Sequence, residues 1–150
     1  MKKFILLFFF AFLFVGISKA CICEEQTLEE RIEKYHFIFI GNVISVEDIF
    51  SDSTSTWPDH QRIVIEIEKK FKGNQSDRII VESELSSCAS FFERGKKYLV
   101  FAGHYITDET EVNENFVATN NKVVTSKCHG TRSVELSVEE IQELENYYSN

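Results

Sequence analysis

The residues whose types and spacing could do chemistry stand together at Cys21-Ile22-Cys23. If the chain is cut after Ala20, Cys21 becomes a first residue with a free α-amine beside its own backbone carbonyl. Those two atoms form a five-membered chelate and can bind a metal ion that keeps an open position. Catalytic zinc in a protease keeps such a position for water. A chain end that displaces this water would block the enzyme. The amine must be neutral to coordinate, and its ordinary pKa of about 7.7–8.0 makes the proton cost near neutral pH small. The chelate also needs rigidity. Disulfides from Cys21 and Cys23 would hold the end in place, so little ordering entropy would be lost on binding.

The cut is readable in residues 1–20. Lys2 and Lys3 give a positive start, Phe4 to Ile17 is an almost unbroken apolar run, and Ser18 and Ala20 are small residues three and one before the break. This is the pattern of a secretory signal peptide. The run is shorter than the roughly 18 residues of a membrane span, so no transmembrane segment is expected after cleavage. A retained anchor helix is the alternative. A lipid anchor on Cys21 is a further one, but Ser18 and Lys19 stand where a large aliphatic and a small residue would be expected. The expected product is a single domain over 21–150, secreted or periplasmic.

Removing residues 1–20 removes Lys2, Lys3 and Lys19 and leaves 13 basic residues (16 − 3) against 24 acidic ones, a formal charge of about −11. No basic patch is visible, so nucleic acid is not an expected partner, and no polybasic segment addresses a membrane surface. All four cysteines, Cys21, Cys23, Cys88 and Cys128, lie in the mature part. An even count in an exported chain argues for two disulfides. Cys21 and Cys23 would point to opposite faces of an extended segment, which disfavours a bond between them. Two pairings remain open, each tying the N-terminus to both distant cysteines. A C-x-C metal site is the competing reading, weakened by the lack of a matching ligand pair nearby in sequence.

Elsewhere the chain offers little chemistry. It has no G-x-S-x-G, no H-E-x-x-H and no phosphate-binding glycine loop. His36, His60, His104 and His129 are scattered, and His129 beside Cys128 reads as a surface histidine. The carboxylates form no constellation above the acidic background. The expectation is therefore not an enzyme, and no cofactor is implied.

The elements that must position the chain end follow from pattern. Thr27-Leu28-Glu29-Glu30 reads as a capping box opening a short helix to Tyr35. Phe37–Val46 reads as a strand with Gly41 at a bulge or tight bend. Asp48–His60 reads as a loop in which the lone Trp57 either anchors a partner or, the plainer expectation, folds back over the sheet. Gln61–Phe71 alternates, with Ile63, Ile65, Ile67 and Phe71 on one face, and makes a hairpin with Arg78–Glu84 through Lys72-Gly73-Asn74. Lys97–Ala102 is nearly all apolar, as in a strand covered on both faces. Gly103–Asn115 reads as an acidic loop, and Phe116–Thr119 and Lys122–Ser126 as a weak last hairpin around Asn120-Asn121. Ser137 to Glu140 is a second capping-box candidate for a C-terminal helix striped by Val138, Ile141, Leu144, Tyr147 and Tyr148. The fold class is β-dominated with flanking helices. About five short strands fit a five-stranded OB-type barrel.

A family resemblance rests on these same stretches. Cys21-Ile22-Cys23 resembles the N-terminal Cys-x-Cys of the tissue inhibitors of metalloproteinases. Phe39-Ile40-Gly41-Asn42-Val43, Phe71-Lys72-Gly73, Cys88 with Phe92–Val100, and Cys128-His129-Gly130-Thr131-Arg132 are similar to that family and to the wider netrin-like (NTR) domains. The resemblance covers most of residues 21–145 and is to small, single-domain members. It implies an OB-like barrel and the pairings Cys21–Cys88 and Cys23–Cys128. It implies that Cys21 gives its amine and carbonyl to the zinc of a metalloprotease, and that Ile22 enters the specificity pocket. The chain departs from the vertebrate inhibitors in lacking a third disulfide and a C-terminal domain, and Ile22 replaces their usual Thr or Ser. NTR domains also serve as extracellular binding modules without inhibitory activity, and that is the alternative the resemblance carries.

Overall fold

The computed structural model describes residues 21–50, 54–104 and 123–149. The expected signal peptide 1–20, the acidic stretch 108–114 and the expected strand Phe116–Thr119 lie outside them. Among the described residues are six strands and two α-helices.

Helix α1 (Leu28–Lys34) begins as its sequence dictates. The Glu30 N–H donates to the Thr27 hydroxyl (3.2 Å), and the Thr27 N–H donates to the Glu30 carboxylate (2.8 Å). Two otherwise orphaned donors are thereby satisfied. Strand β1 (Phe37–Ile49) runs three residues further than the pattern predicted, into the stretch read as loop, and pairs antiparallel with β2 (His60–Lys72). β3 (Arg78–Glu84) continues the hairpin, and β4 (Lys97–His104) pairs with the first half of β1.

The last strands differ from expectation. β5 is only Val123–Val124, and it pairs parallel with β3 and antiparallel with β4. The Asn120-Asn121 turn of the expected hairpin, like its partner segment Phe116–Thr119, lies outside the described residues. β6 (Arg132–Ser133) adds a sixth strand on β4 that no alternation announces in so short a segment. Pairings therefore run β1–β2–β3–β5–β4 and return from β4 to β1.

Closing this path demands that β1 and β2 coil. Register shifts fall between Ile38 and Phe39, between Ile40 and Gly41, and between Val43 and Ser45. At Gly41 the backbone approaches β2 so closely that a Cβ would lie 2.8 Å from the Glu66 carbonyl oxygen. The shift at Ile38/Phe39 leaves Phe71 between the partner positions of Phe39 (Lys70) and Ile38 (Lys72). An unpaired extra residue breaks the strict alternation of faces, and Phe71 packs away from Ile63 and Ile65, correcting the expected shared face.

Two apolar clusters result. One holds Phe37, Phe39, Ile63, Ile65, Val81, Tyr98 and Val100 among others. The second holds Ile32, Tyr35, Ile38, Leu99, Phe101 and Leu144 beneath the helices. β4 feeds both, which accounts for its nearly unbroken apolar sequence.

Helix α2 (Val138–Ser149) corrects two expectations. Its buried stripe reduces to Leu144 with Ile141 packed beside it, while Val138, Tyr147 and Tyr148 are exposed and Glu140 is buried. The second capping box does not form. The Ser137 N–H donates to the Val134 carbonyl (3.0 Å), its hydroxyl donates to the Ser133 carbonyl (2.9 Å), and the Glu140 carboxylate faces Arg31 and Arg132 instead. Two guanidiniums outcompete a single backbone N–H for a carboxylate, and this rotates the helix so that Glu140 points inward.

Candidate functional site

Residues Cys21–Gln26 carry no regular secondary structure and lead into α1. What places them is the pair of distant cysteines. Cys88 sits in a tight turn in which the Ala89 N–H donates to the Ser86 carbonyl (3.0 Å) and the Cys88 N–H to the Ser86 hydroxyl (3.2 Å). Cys128 sits in a 3₁₀ turn, Lys127–His129, closed by Gly130 at φ 91°. That left-handed conformation favours glycine, and the Arg31 guanidinium occupies the space a Cβ would need. The Lys127 N–H donates to the Cys88 carbonyl (2.9 Å), so one backbone hydrogen bond holds the two turns side by side.

Disulfides join Cys21 to Cys88 and Cys23 to Cys128. This is the one of the two open pairings that the resemblance implies. Because Cys88 and Cys128 are neighbours, the two disulfides touch. All four sulfurs lie within 4.8 Å of one another, and the Cys21 Sγ is 3.6 Å from both the Cys23 and the Cys128 Sγ. The expectation that Cys21 and Cys23 point to opposite faces is thereby corrected. A segment free of sheet pairing is not bound to alternate, and two adjacent anchors draw both sulfurs to the same side. Ile22, held between them, turns outward and is 79% exposed.

Behind the disulfides lies a second layer that sequence reasoning missed. The His129 ring packs on Tyr35 with centroids 4.7 Å apart. Burial first, and the Lys34 ammonium second, push its pKa down to about 4, partly offset by a hydrogen bond to the Phe101 backbone. His129 is thus a neutral, half-buried packing residue rather than the surface histidine expected. Tyr35 is itself buried, and its hydroxyl donates weakly to the Gln26 side chain (3.4 Å), tying the N-terminal segment to the helix it precedes. Arg31 lies over the Phe101 ring at 4.8 Å and ion-pairs with Glu140, which also takes Arg132. Only the capping-box glutamate had looked notable at Glu140. The signal that could have revealed its role is a carboxylate on the inward stripe of α2.

The expected Trp57 lid is also corrected. Trp57 is 79% exposed, in a turn closed by the Ser55 hydroxyl donating to the Trp57 carbonyl (2.6 Å). Among the described residues no helix is long and apolar enough to cross a membrane.

The arrangement can present residue 21 rigidly. Its side chain is cross-linked, its neighbour is cross-linked two residues on, and the intervening side chain projects into solvent. No protein-family model matches the chain, and no curated protein matches it.

Proposed function

We propose that this chain, once cut after Ala20, is an exported inhibitor of a zinc metalloprotease. In this reading Cys21 supplies its α-amine and carbonyl to the zinc of the target, and Ile22 enters the apolar pocket beside it. The protein is then not an enzyme and carries no cofactor of its own. The observation that carries the reading is the pair of touching disulfides that fix both sides of an outward Ile22. A chelate offered from a fixed end loses little freedom on binding. The closed run of pairings from β1 round to β4 and back supports an OB-like, NTR-type barrel beneath it. Two disulfides suit an oxidising, extracellular or periplasmic location. An acyl group on the Cys21 amine would remove its lone pair, so a lipid anchor and this mechanism exclude each other.

The test is direct. Mass spectrometry of the exported product should give a first residue at Cys21 with an unmodified amine, and that product should inhibit at least one member of a zinc metalloprotease panel at one-to-one stoichiometry. A product starting elsewhere, or an inert one, sets the proposal aside.

One observation favours a second reading, an NTR-type extracellular binding module without inhibitory activity. The bare indole of Trp57 is of the residue type that anchors protein interfaces. A pull-down from the extracellular fraction that is lost in Trp57→Ala but indifferent to the state of the Cys21 amine would select it.

A further inference from the structure

We infer that the four cysteines form a redox-gated site for a thiophilic cation, with zinc as the natural class. The inference does not rest on the inhibitor reading, which needs the sulfurs paired, whereas this site needs them reduced. Four thiolates around zinc at about 2.3 Å stand about 3.8 Å from one another in a tetrahedron. Here all six sulfur–sulfur separations are within 4.8 Å, and two that are not bonds are already 3.6 Å. Sequence alone gave Cys21 and Cys23 no second ligand pair. The fold supplies one in Cys88 and Cys128.

The second pair does not depend on the disulfides for its placement. The Cys88 turn is closed through Ser86, the Cys128 turn through Lys127 and Gly130, and the Lys127 N–H bond to the Cys88 carbonyl joins them. Wherever the sheet stays folded with both disulfides open, this hydrogen bond keeps the two turns and their sulfurs side by side. The Cys21-Ile22-Cys23 arm offers the other two, already disposed on one side of a segment with no sheet pairing to break.

The chemistry balances. Each disulfide takes two electrons and two protons from a dithiol, which closes to its own disulfide. One Zn²⁺ then replaces the protons of the four thiols, which leave to solvent. Soft sulfur ligands select zinc over the hard cations calcium and magnesium. The cation closes in one step both loops that the disulfides had closed, so the reduced chain keeps its N-terminus docked.

The experiment uses the chain from Cys21 onward, reduced without air by a phosphine and then freed of it. Co²⁺ is added as a spectroscopic stand-in, followed by Zn²⁺. The expected result is one Co²⁺ per chain, with thiolate charge-transfer and tetrahedral d–d bands, displaced by one Zn²⁺. The oxidised chain, which has no free thiol, should show no thiolate charge-transfer band. Cys88→Ser should lose the four-thiolate spectrum. If the reduced chain loses its strand circular dichroism before metal is added, one equivalent of Zn²⁺ must restore it. The doubly substituted Cys21→Ser/Cys88→Ser chain, which can fold with its remaining disulfide, must fail to bind once that bond is reduced. Absence of thiolate bands, failure of zinc to restore a lost fold, or undiminished uptake by either variant overturns the inference.

Discussion

Removing one disulfide should cost this fold about 4 kcal/mol, whichever of the two is removed. The Cys21–Cys88 and Cys23–Cys128 bonds span 67 and 105 residues. Taken alone, loops of these lengths restrict the unfolded chain by about 4.4 and 4.8 kcal/mol in the loop-entropy relation. The bonds are not independent. While one remains, the other closes a path of only about 42 residues, 128 − 88 along one side and 23 − 21 along the other. For that length the same relation gives about 3.9 kcal/mol. The perturbations are Cys21→Ala/Cys88→Ala and Cys23→Ala/Cys128→Ala, and the assay is urea unfolding followed by circular dichroism. Each variant should lose about 4 kcal/mol, on the order of 10–20 °C in Tm for a domain of this size. The four-alanine chain should lose about 8 kcal/mol, enough to bring an ordinary domain of 5–15 kcal/mol close to its unfolding midpoint. Losses below about 2 kcal/mol in both paired variants would refute the reasoning, because they would mean that the cross-links restrict the unfolded chain far less than closing loops of this length requires.

Two further outcomes are expected. Acid should weaken the fold through His129, whose pKa of about 4 lies below its ordinary 6.5. Above pH 6.5 neither state holds this proton. Between 6.5 and 4 the unfolded chain binds it and the folded chain does not, so stability falls as pH falls. For a half-buried ring the loss should reach about 1–2 kcal/mol by pH 4. His129→Phe should flatten the slope of unfolding free energy across that range, and an unchanged slope counts against the assignment. Glu140→Ala should cost about 3–5 kcal/mol in the same urea assay, since it strands the largely buried Arg31 guanidinium without a counter-charge. A loss within 0.5 kcal/mol would show that water replaces the carboxylate.

What the sequence disclosed is local. The capping box at Thr27 and Glu30, the alternation of Ile63 and Ile65, and the two-sided burial of Leu99 and Val100 are set by neighbours in the chain, and each appears as read. What it hid depends on residues far apart. The face of Phe71 is decided by a bulge against Ile38 and Phe39. The partner of Val123 is Val81, more than forty positions away. Glu140 turns inward because Arg31 and Arg132 converge on it from α1 and β6. The candidate site was legible as a cysteine pair, and its amine belongs to the proposed cut after Ala20. Its shape was not, because the contact between the two disulfides is made by the Lys127–Cys88 hydrogen bond, which no spacing encodes.

The central claim is that a fixed amine at Cys21 reaches another protein's zinc. Its most direct test is the inhibition constant of the chain beginning at Cys21 beside that of the same chain carrying one extra alanine before it. An amide nitrogen has no lone pair to give, so inhibition should vanish in the extended chain while its Tm and disulfides stay unchanged. Equal potency of the two chains would contradict the account.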